Sequence, residues 1–335
     1  MIAAGIGNAL ARPTAGTGMQ VHQLGEGTPE VAVVGAVHGD EPCGVRAVER
    51  LLAESPAVER PVKLVVANEA ALADDVRYVD EDLNRAFPGD SRAETHEGRL
   101  AHDLAREVRD CTTLAIHSTR SWAEPFAVVR STDAVTRGVC PRLPVDAVVE
   151  TDAYTEGRLV ELPHVLEVEA GRQGTPGAAE NAYRVSLAFL AATGVLGTSG
   201  PDLGERPVDG ATVGAGDADA SGHGSGGGEP GRDPEARREA AASGRADGRD
   251  GERAVSVFRL REPIPKPPAE RYEVFAENFT EVRAGEAYAA ADGEPLVASE
   301  SFYPVLLSAD GYETQFGYAA DRVGVVGGNP SAPAG

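Results

Sequence analysis

Apolar residues recur in two different periods through the first part of the chain. Val31 to Val37 (VAVVGAV) is an unbroken apolar run ending in a polar loop, the pattern of a strand buried on both faces. Gly44 to Glu54 then sets Val45, Val48, Leu51 and Leu52 at helical spacing, and Val62 to Ala67 is a second short apolar run. Ser91 to Asp110 predicts an amphipathic helix with Leu100, Leu104 and Val108 on one face. Thr113 to Ile116, Phe126 to Val129 and Val165 to Val168 read as further strands. Asn181 to Leu196 reads as a closing helix, with Val185, Leu187, Phe189 and Leu190 on its apolar side and Gly194 near its end. Strands alternating with helices predict an α/β sheet with helices on both faces.

The pattern then breaks. Residues 198–253 are Gly-rich and acidic, with no aromatic side chain and too little apolar surface to offset chain entropy, so this stretch is expected to be a disordered insert. Beyond it, Val255 to Leu260, Tyr272 to Phe275, Pro304 to Leu307 and Gln315 to Tyr318 are short β-like pieces between Pro and Gly turns. The expected organisation is an α/β domain over residues 1–197, the insert, a smaller β-rich domain over 254–326 and a disordered tail over 327–335.

Composition narrows the partners. The 335 residues carry 53 Asp and Glu against 31 Lys and Arg, a formal charge of −22. Such a surface repels nucleic acid and anionic membrane. No apolar run reaches the roughly 18 residues of a membrane span. The start of the chain has no secretory pattern, and the odd set Cys43, Cys111 and Cys140 suits a reducing compartment, so a cytoplasmic location is expected. Only Lys63 and Lys266 are lysines. Scarce lysine and acid spread along the whole chain fit the salt-screened surface of a halophile's protein.

The candidate chemistry lies at predicted strand ends, where open α/β sheets bind ligands. His38-Gly39-Asp40-Glu41 follows the first apolar run, and its histidine and glutamate can grip one metal ion; His117, after Leu114-Ala115-Ile116, is a third ligand type. Two imidazoles and a carboxylate leave a zinc position open for water, the mark of a catalytic site. On pattern alone, H-x-x-E can equally be exposed polar residues. His96 and His102 read as solvated, and His22 and His164 have no ligand-type neighbour. Arg77 and Arg85 flank the loop Tyr78 to Asn84, suited either to binding carboxylates or to pairing with Asp80, Glu81 and Asp82. Glu167 and Glu169 alternate onto one face of their strand; on pattern alone they read as exposed sheet-edge carboxylates, although a glutamate beside a zinc-bound water would serve as general base. Asn278-Phe279-Thr280 matches a glycosylation acceptor by chance.

HGDE at His38 to Glu41, RYVDEDLNRAFPG at Arg77 to Gly89, the histidine of AIHST and EAG at Glu169 to Gly171 occur in order. Together they resemble the succinylglutamate desuccinylase and aspartoacylase family of zinc amidohydrolases. The resemblance covers about Val31 to Leu196 and, more loosely, Phe302 to Tyr318. It implies a three-layer α/β/α zinc carboxypeptidase-like domain with a smaller β-rich C-terminal domain that partly covers the site. It also implies one zinc ion per chain held by His38, Glu41 and His117, with Glu169 as catalytic acid/base and Arg77 polarising the scissile carbonyl. Asn84 and Arg85 match residues that bind a substrate carboxylate, and Tyr312 matches a tyrosine lent to the pocket. The implied reaction is deacylation of a small anionic N-acyl substrate, with homo-oligomerisation left open. A peptide-cleaving metallocarboxypeptidase and a non-catalytic or weakly active zinc- or ligand-binding member are the alternatives. One departure stands out: the family's D-L-H pattern has an aspartate where this chain has Ala115. Such residues tune metal affinity, and Asp40 is the carboxylate considered as a stand-in.

Overall fold

The computed structural model describes residues 12–13, 18–154, 156–197 and 253–328. Of the insert expected over residues 198–253 and the tail expected over 327–335, residues 198–252 and 329–335 lie outside them. The apolar runs become strands of one mixed sheet. Its centre is parallel: β3 (Val31–Gly35) lies between β4 (Val62–Val66) and β5 (Thr112–Thr119), and β8 (Val165–Arg172) follows β5. β2 (Gln20–Leu24) adds antiparallel to β4, and β1 (Arg12–Pro13) to β2. On the other side come β6 (Phe126–Val129), antiparallel to β8, and β7 (Ala147–Glu150), parallel to β6.

Helices cover both faces. Strand alternation sends Val31, Val33, Leu114, Ile116 and Val168 to one face. There they pack with α1 (Cys43–Glu54), α4 (Ala134–Val139) and α5 (Pro176–Ala192). Ala32, Val34 and Ala115 turn to the other face, against Leu100, Leu104 and Val108 of α3 (His96–Val108). The helix starts differ from the sequence reading for a local reason. α3 begins at His96 rather than Ser91 because Thr95 Oγ1 accepts the Gly98 N–H, 3.1 Å away. α5 begins earlier than Asn181 because Thr175 caps the Ala178 N–H ahead of Pro176, whose fixed φ suits a first turn.

Residues 253–328 form a β-rich region. β9 (Val255–Pro265) pairs parallel to β7, and β14 (Gln315–Val326) and β13 (Tyr303–Val305) continue outward, so these strands extend the main sheet to eleven. β10 (Tyr272–Val274), β11 (Ala287–Ala291) and β12 (Glu294–Val297) make a separate three-stranded sheet. Phe258, Leu260 and Tyr318 pack with Phe126, Val128 and Val149 in one apolar cluster, which ties the region to the α/β part.

Two glycines set the approach to the site. A Cβ on Gly35 would lie 2.6 Å from the Gly44 carbonyl carbon, so α1 crosses β3 closely only because both are glycine. A Cβ on Gly39 would lie 2.1 Å from the Ala71 carbonyl carbon. The His38–Glu41 loop therefore rests directly on α2 (Glu69–Ala73).

Candidate active site

His38 and Glu41 sit on the loop between β3 and α1, and His117 is inside the C-terminal half of β5. All three are buried, and one ligand atom of each lies within 4.8 Å of the others. His38 Nδ1 is 2.9 Å from Glu41 Oε1, and His117 Nδ1 is 3.3 Å from Glu41 Oε2. The Ser118 N–H donates to Glu41 Oε2 at 2.9 Å and fixes the carboxylate plane. Register places Glu169 of β8 beside His117, and Glu167 beside Ala115.

The 77–85 loop closes over this group. Arg77 donates to Glu41 Oε1 at 3.2 Å and, through Nε and a terminal nitrogen, to Asp82 Oδ2 at 3.1 and 3.0 Å. Asp82 Oδ1 meets His38 Nε2 at 3.0 Å. The loop is held from below by Glu97, which accepts the Val79, Asp80 and Glu81 N–H groups and the Asn68 amide. Asn84 donates to Glu167 Oε1 at 3.1 Å and accepts the Leu159 N–H at 2.7 Å.

Charge dominates the site. Burial opposes ionisation of Glu41, yet His38 and His117 outweigh it and hold the carboxyl well below its ordinary range. For His117, burial works against the proton, but the bond to Glu41 and the charge of Glu167 push its pKa up to about 9. Burial, then the charge of Glu41, pushes Glu169 up to about 7. Buried carboxylates at this density need compensating positive charge. Protons on the two imidazoles supply it, or a divalent cation that displaces them. Two imidazole nitrogens and a carboxylate oxygen form a donor set suited to zinc, so the residues present fit that metal.

These groups line a pocket of about 310 Å³. It brings together every residue singled out from the sequence: His38, Glu41, Arg77, Asn84, Arg85, His117, Glu169 and Tyr312. Burial pushes the Tyr312 hydroxyl's pKa up. His96 reaches Asn68 Oδ1 at 3.3 Å rather than pointing to solvent. Asn278 of the would-be glycosylation motif is buried, bonding the Leu307 backbone and the Ser121 carbonyl.

The pocket also holds residues that sequence reasoning passed over. Arg158 lines it close to Arg85, and burial and then this like charge lower the Arg85 pKa. Neither guanidinium forms an ion pair among the described residues. Arg158 belongs to no motif, so nothing in the sequence marked it. Asp82 was read only as a loop carboxylate, although its place in DEDLNR was a usable signal. Asp40 does not stand in for the residue missing at 115: its Oδ2 accepts the Gln173 amide at 2.8 Å, while Glu167 occupies the space beside Ala115.

Comparison with known proteins matches part of the chain in sequence and most of it in fold. Residues 27–122 match the succinylglutamate desuccinylase/aspartoacylase catalytic domain. Over that stretch the chain is similar to that family. An aspartoacylase of Xenopus tropicalis is 34% identical over 79 residues, 23% of this chain and 25% of the relative. An N-acyl-aromatic-L-amino acid amidohydrolase of Rattus norvegicus is 45% identical over 60 residues, 17% and 19% of the two chains. These matches thus span a quarter or less of the curated relatives' lengths. The fold extends much further. A succinylglutamate desuccinylase/aspartoacylase of Rhodobacter sphaeroides superimposes with a TM-score of 0.61 at 19% identity, covering 93% of this chain and 89% of its own. Murine aminoacylase 3 gives 0.59 at 17%, covering 90% and 98%.

Proposed function

We propose that the chain is a zinc-dependent amidohydrolase that deacylates an N-acyl amino acid or a similar small carboxylated amide. One observation carries the reading: the buried His38–Glu41–His117 group shares its pocket with Glu169, whose Oε2 is buried without a hydrogen-bond partner. Zinc held by these three side chains would acidify a water and polarise an amide carbonyl. Glu169 is the group on the chain that moves protons. Its pKa near 7 lets it take one from the attacking water and return it to the departing amine. Arg77, at the pocket surface beside Glu41, bonds the carbonyl oxygen as charge develops there. Arg85 and Arg158 hold the substrate's carboxylate, since neither guanidinium is taken up in an ion pair among the described residues. Asn84 supports them from the turn it shares with Arg85. Val128, Val149, Leu260 and Leu306 supply the apolar lining for the rest of the substrate.

The test is a screen of N-acyl amino acids against the purified chain at low and molar KCl, with zinc content measured alongside. Chelator-sensitive release of the free amino acid by a protein holding one zinc per chain supports the reading. Glu169→Gln is expected to cut turnover by roughly 10²–10⁴-fold while zinc stays bound. A folded protein that takes up no zinc at neutral pH overturns the proposal; zinc binding without hydrolysis of any acyl amino acid leaves a binding protein instead.

A further inference from the structure

The two imidazoles of the metal group are arranged alike. Each turns Nδ1 towards Glu41 and Nε2 away from it. The outer nitrogen of His38 meets Asp82 Oδ1 at 3.0 Å. The outer nitrogen of His117 has Glu167 Oε1 at 3.8 Å, and it is buried with no hydrogen-bond partner. A metal-ligating imidazole is held in tautomer and orientation by what its other nitrogen bonds, and a carboxylate serves best.

The geometry points to Glu167 as the positioning carboxylate of His117, doing for that ligand what Asp82 does for His38. This rests on the zinc reading above. Three observations carry it. Glu167 is 4% exposed, and an ionised carboxylate so buried is costly unless paired. Its one hydrogen bond among the described residues, from Asn84, leaves most of its acceptor capacity to the imidazole. The third observation is register. On parallel β5 and β8, Ala115 stands opposite Glu167 and His117 opposite Glu169. Ala115 shares a strand face with His117 and offers only a methyl group, wholly buried. The carboxylate absent from β5 is thus delivered from β8, one strand over, into the space the alanine leaves. A glutamate is one methylene longer than an aspartate, which suits this longer reach.

Glu167→Gln tests the assignment. Glutamine keeps an acceptor for Asn84 but removes the charge facing His117. Zinc affinity, measured by competition with a chromophoric chelator, is expected to fall by about 10–100-fold. The visible spectrum of the cobalt-substituted protein, which reports ligand orientation, is expected to change with it. Ala115→Asp added to Glu167→Gln returns a carboxylate from β5, and both readouts are expected to move back towards those of the unaltered chain. Circular dichroism establishes that each variant is folded. Zinc affinity within twofold of the unaltered chain, with an unchanged cobalt spectrum, overturns the assignment while leaving the metal site standing. Failure of the unaltered chain to bind zinc overturns both.

Discussion

The wall of the pocket that carries Arg77 and Asp82 and the wall that carries Tyr312 are held by opposite means. The first is a mesh of ions. Arg77 bridges Glu41 and Asp82, Asp82 holds His38, and the buried Glu97 gathers three backbone N–H groups of the same loop. The second has almost no charge of its own. Leu306, Ser308, Gly311 and Tyr312 line the pocket, and their loop is tied down from behind. Lys266 donates to the Ala309 and Tyr312 carbonyls at 2.6 and 2.5 Å, with its ammonium 4.9 Å from the Tyr272 ring centroid. Asn278 bonds the N–H and carbonyl of Leu307 and the Ser121 carbonyl. The difference teaches where scaffold and chemistry can be separated. On the ionic wall Arg77 and Asp82 both touch the pocket and hold its loop, so substituting either disturbs both. On the other wall the residue that touches the pocket and the residue that holds it are distinct.

The sharpest test of this division lies with the two arginines between the walls. Removing one charge-assisted bond to a substrate carboxylate costs roughly 1.5–3 kcal/mol, or about 10–150-fold. Arg158→Ala is therefore expected to raise KM for an acidic N-acyl substrate by that factor and to leave zinc content intact. Equal loss on a substrate without the carboxylate would show that Arg158 only shapes the pocket. A smaller effect is expected behind the Tyr312 wall. Lys266→Met keeps the stem but drops two hydrogen bonds, and kcat/KM should fall about fivefold to tenfold with zinc affinity unmoved. Lys266→Arg should not restore it, since a planar guanidinium does not replace a compact ammonium between two carbonyls. Zinc loss in either variant would mean that the walls are not separable.

The smallest effect concerns Glu97 and is read in stability. Burial disfavours its charge, but the Val79 and Asp80 N–H groups, the Asn68 amide and the Glu81 N–H outweigh this and lower its pKa. A carboxyl depressed in the folded state stabilises above its unfolded pKa, about 4.3, and that contribution is lost as pH falls through the folded value. The Tm gap between the unaltered chain and Glu97→Gln should be a few degrees at pH 7, from about 1–3 kcal/mol. It should close on acidification below about pH 4. A gap independent of pH would show that Glu97 acts by shape, and the loop would not be held by charge.

Much of the pocket was legible because its chemistry sits at strand ends. Runs such as Val31 to Val37 announce a buried strand, and the polar residues just past it are then candidates by position. His38, Glu41 and His117 were found that way, whereas Glu169 and the loop from Arg77 to Arg85 gained their roles only from the ordered motifs. Arg158 was not legible, because it lies in an irregular stretch and enters the pocket only through the fold. The strands after residue 253 announced themselves as short β pieces, but their continuation of the main sheet depends on pairing between β7 and β9, more than a hundred residues apart.

By itself, the sequence marked the central strands, three of their covering helices and the chemical groups that stand at strand ends. Period and turn chemistry are local, and the chain carries them wherever it goes. Tertiary structure decided which groups share a pocket and in what role. The parallel register of β5 and β8 puts Glu167 beside Ala115 and so beside His117. Lys266 became the clasp of the Tyr312 wall because distant strands brought two carbonyls to its ammonium. Register and partner choice are set by packing over the whole sheet, and no local pattern records them.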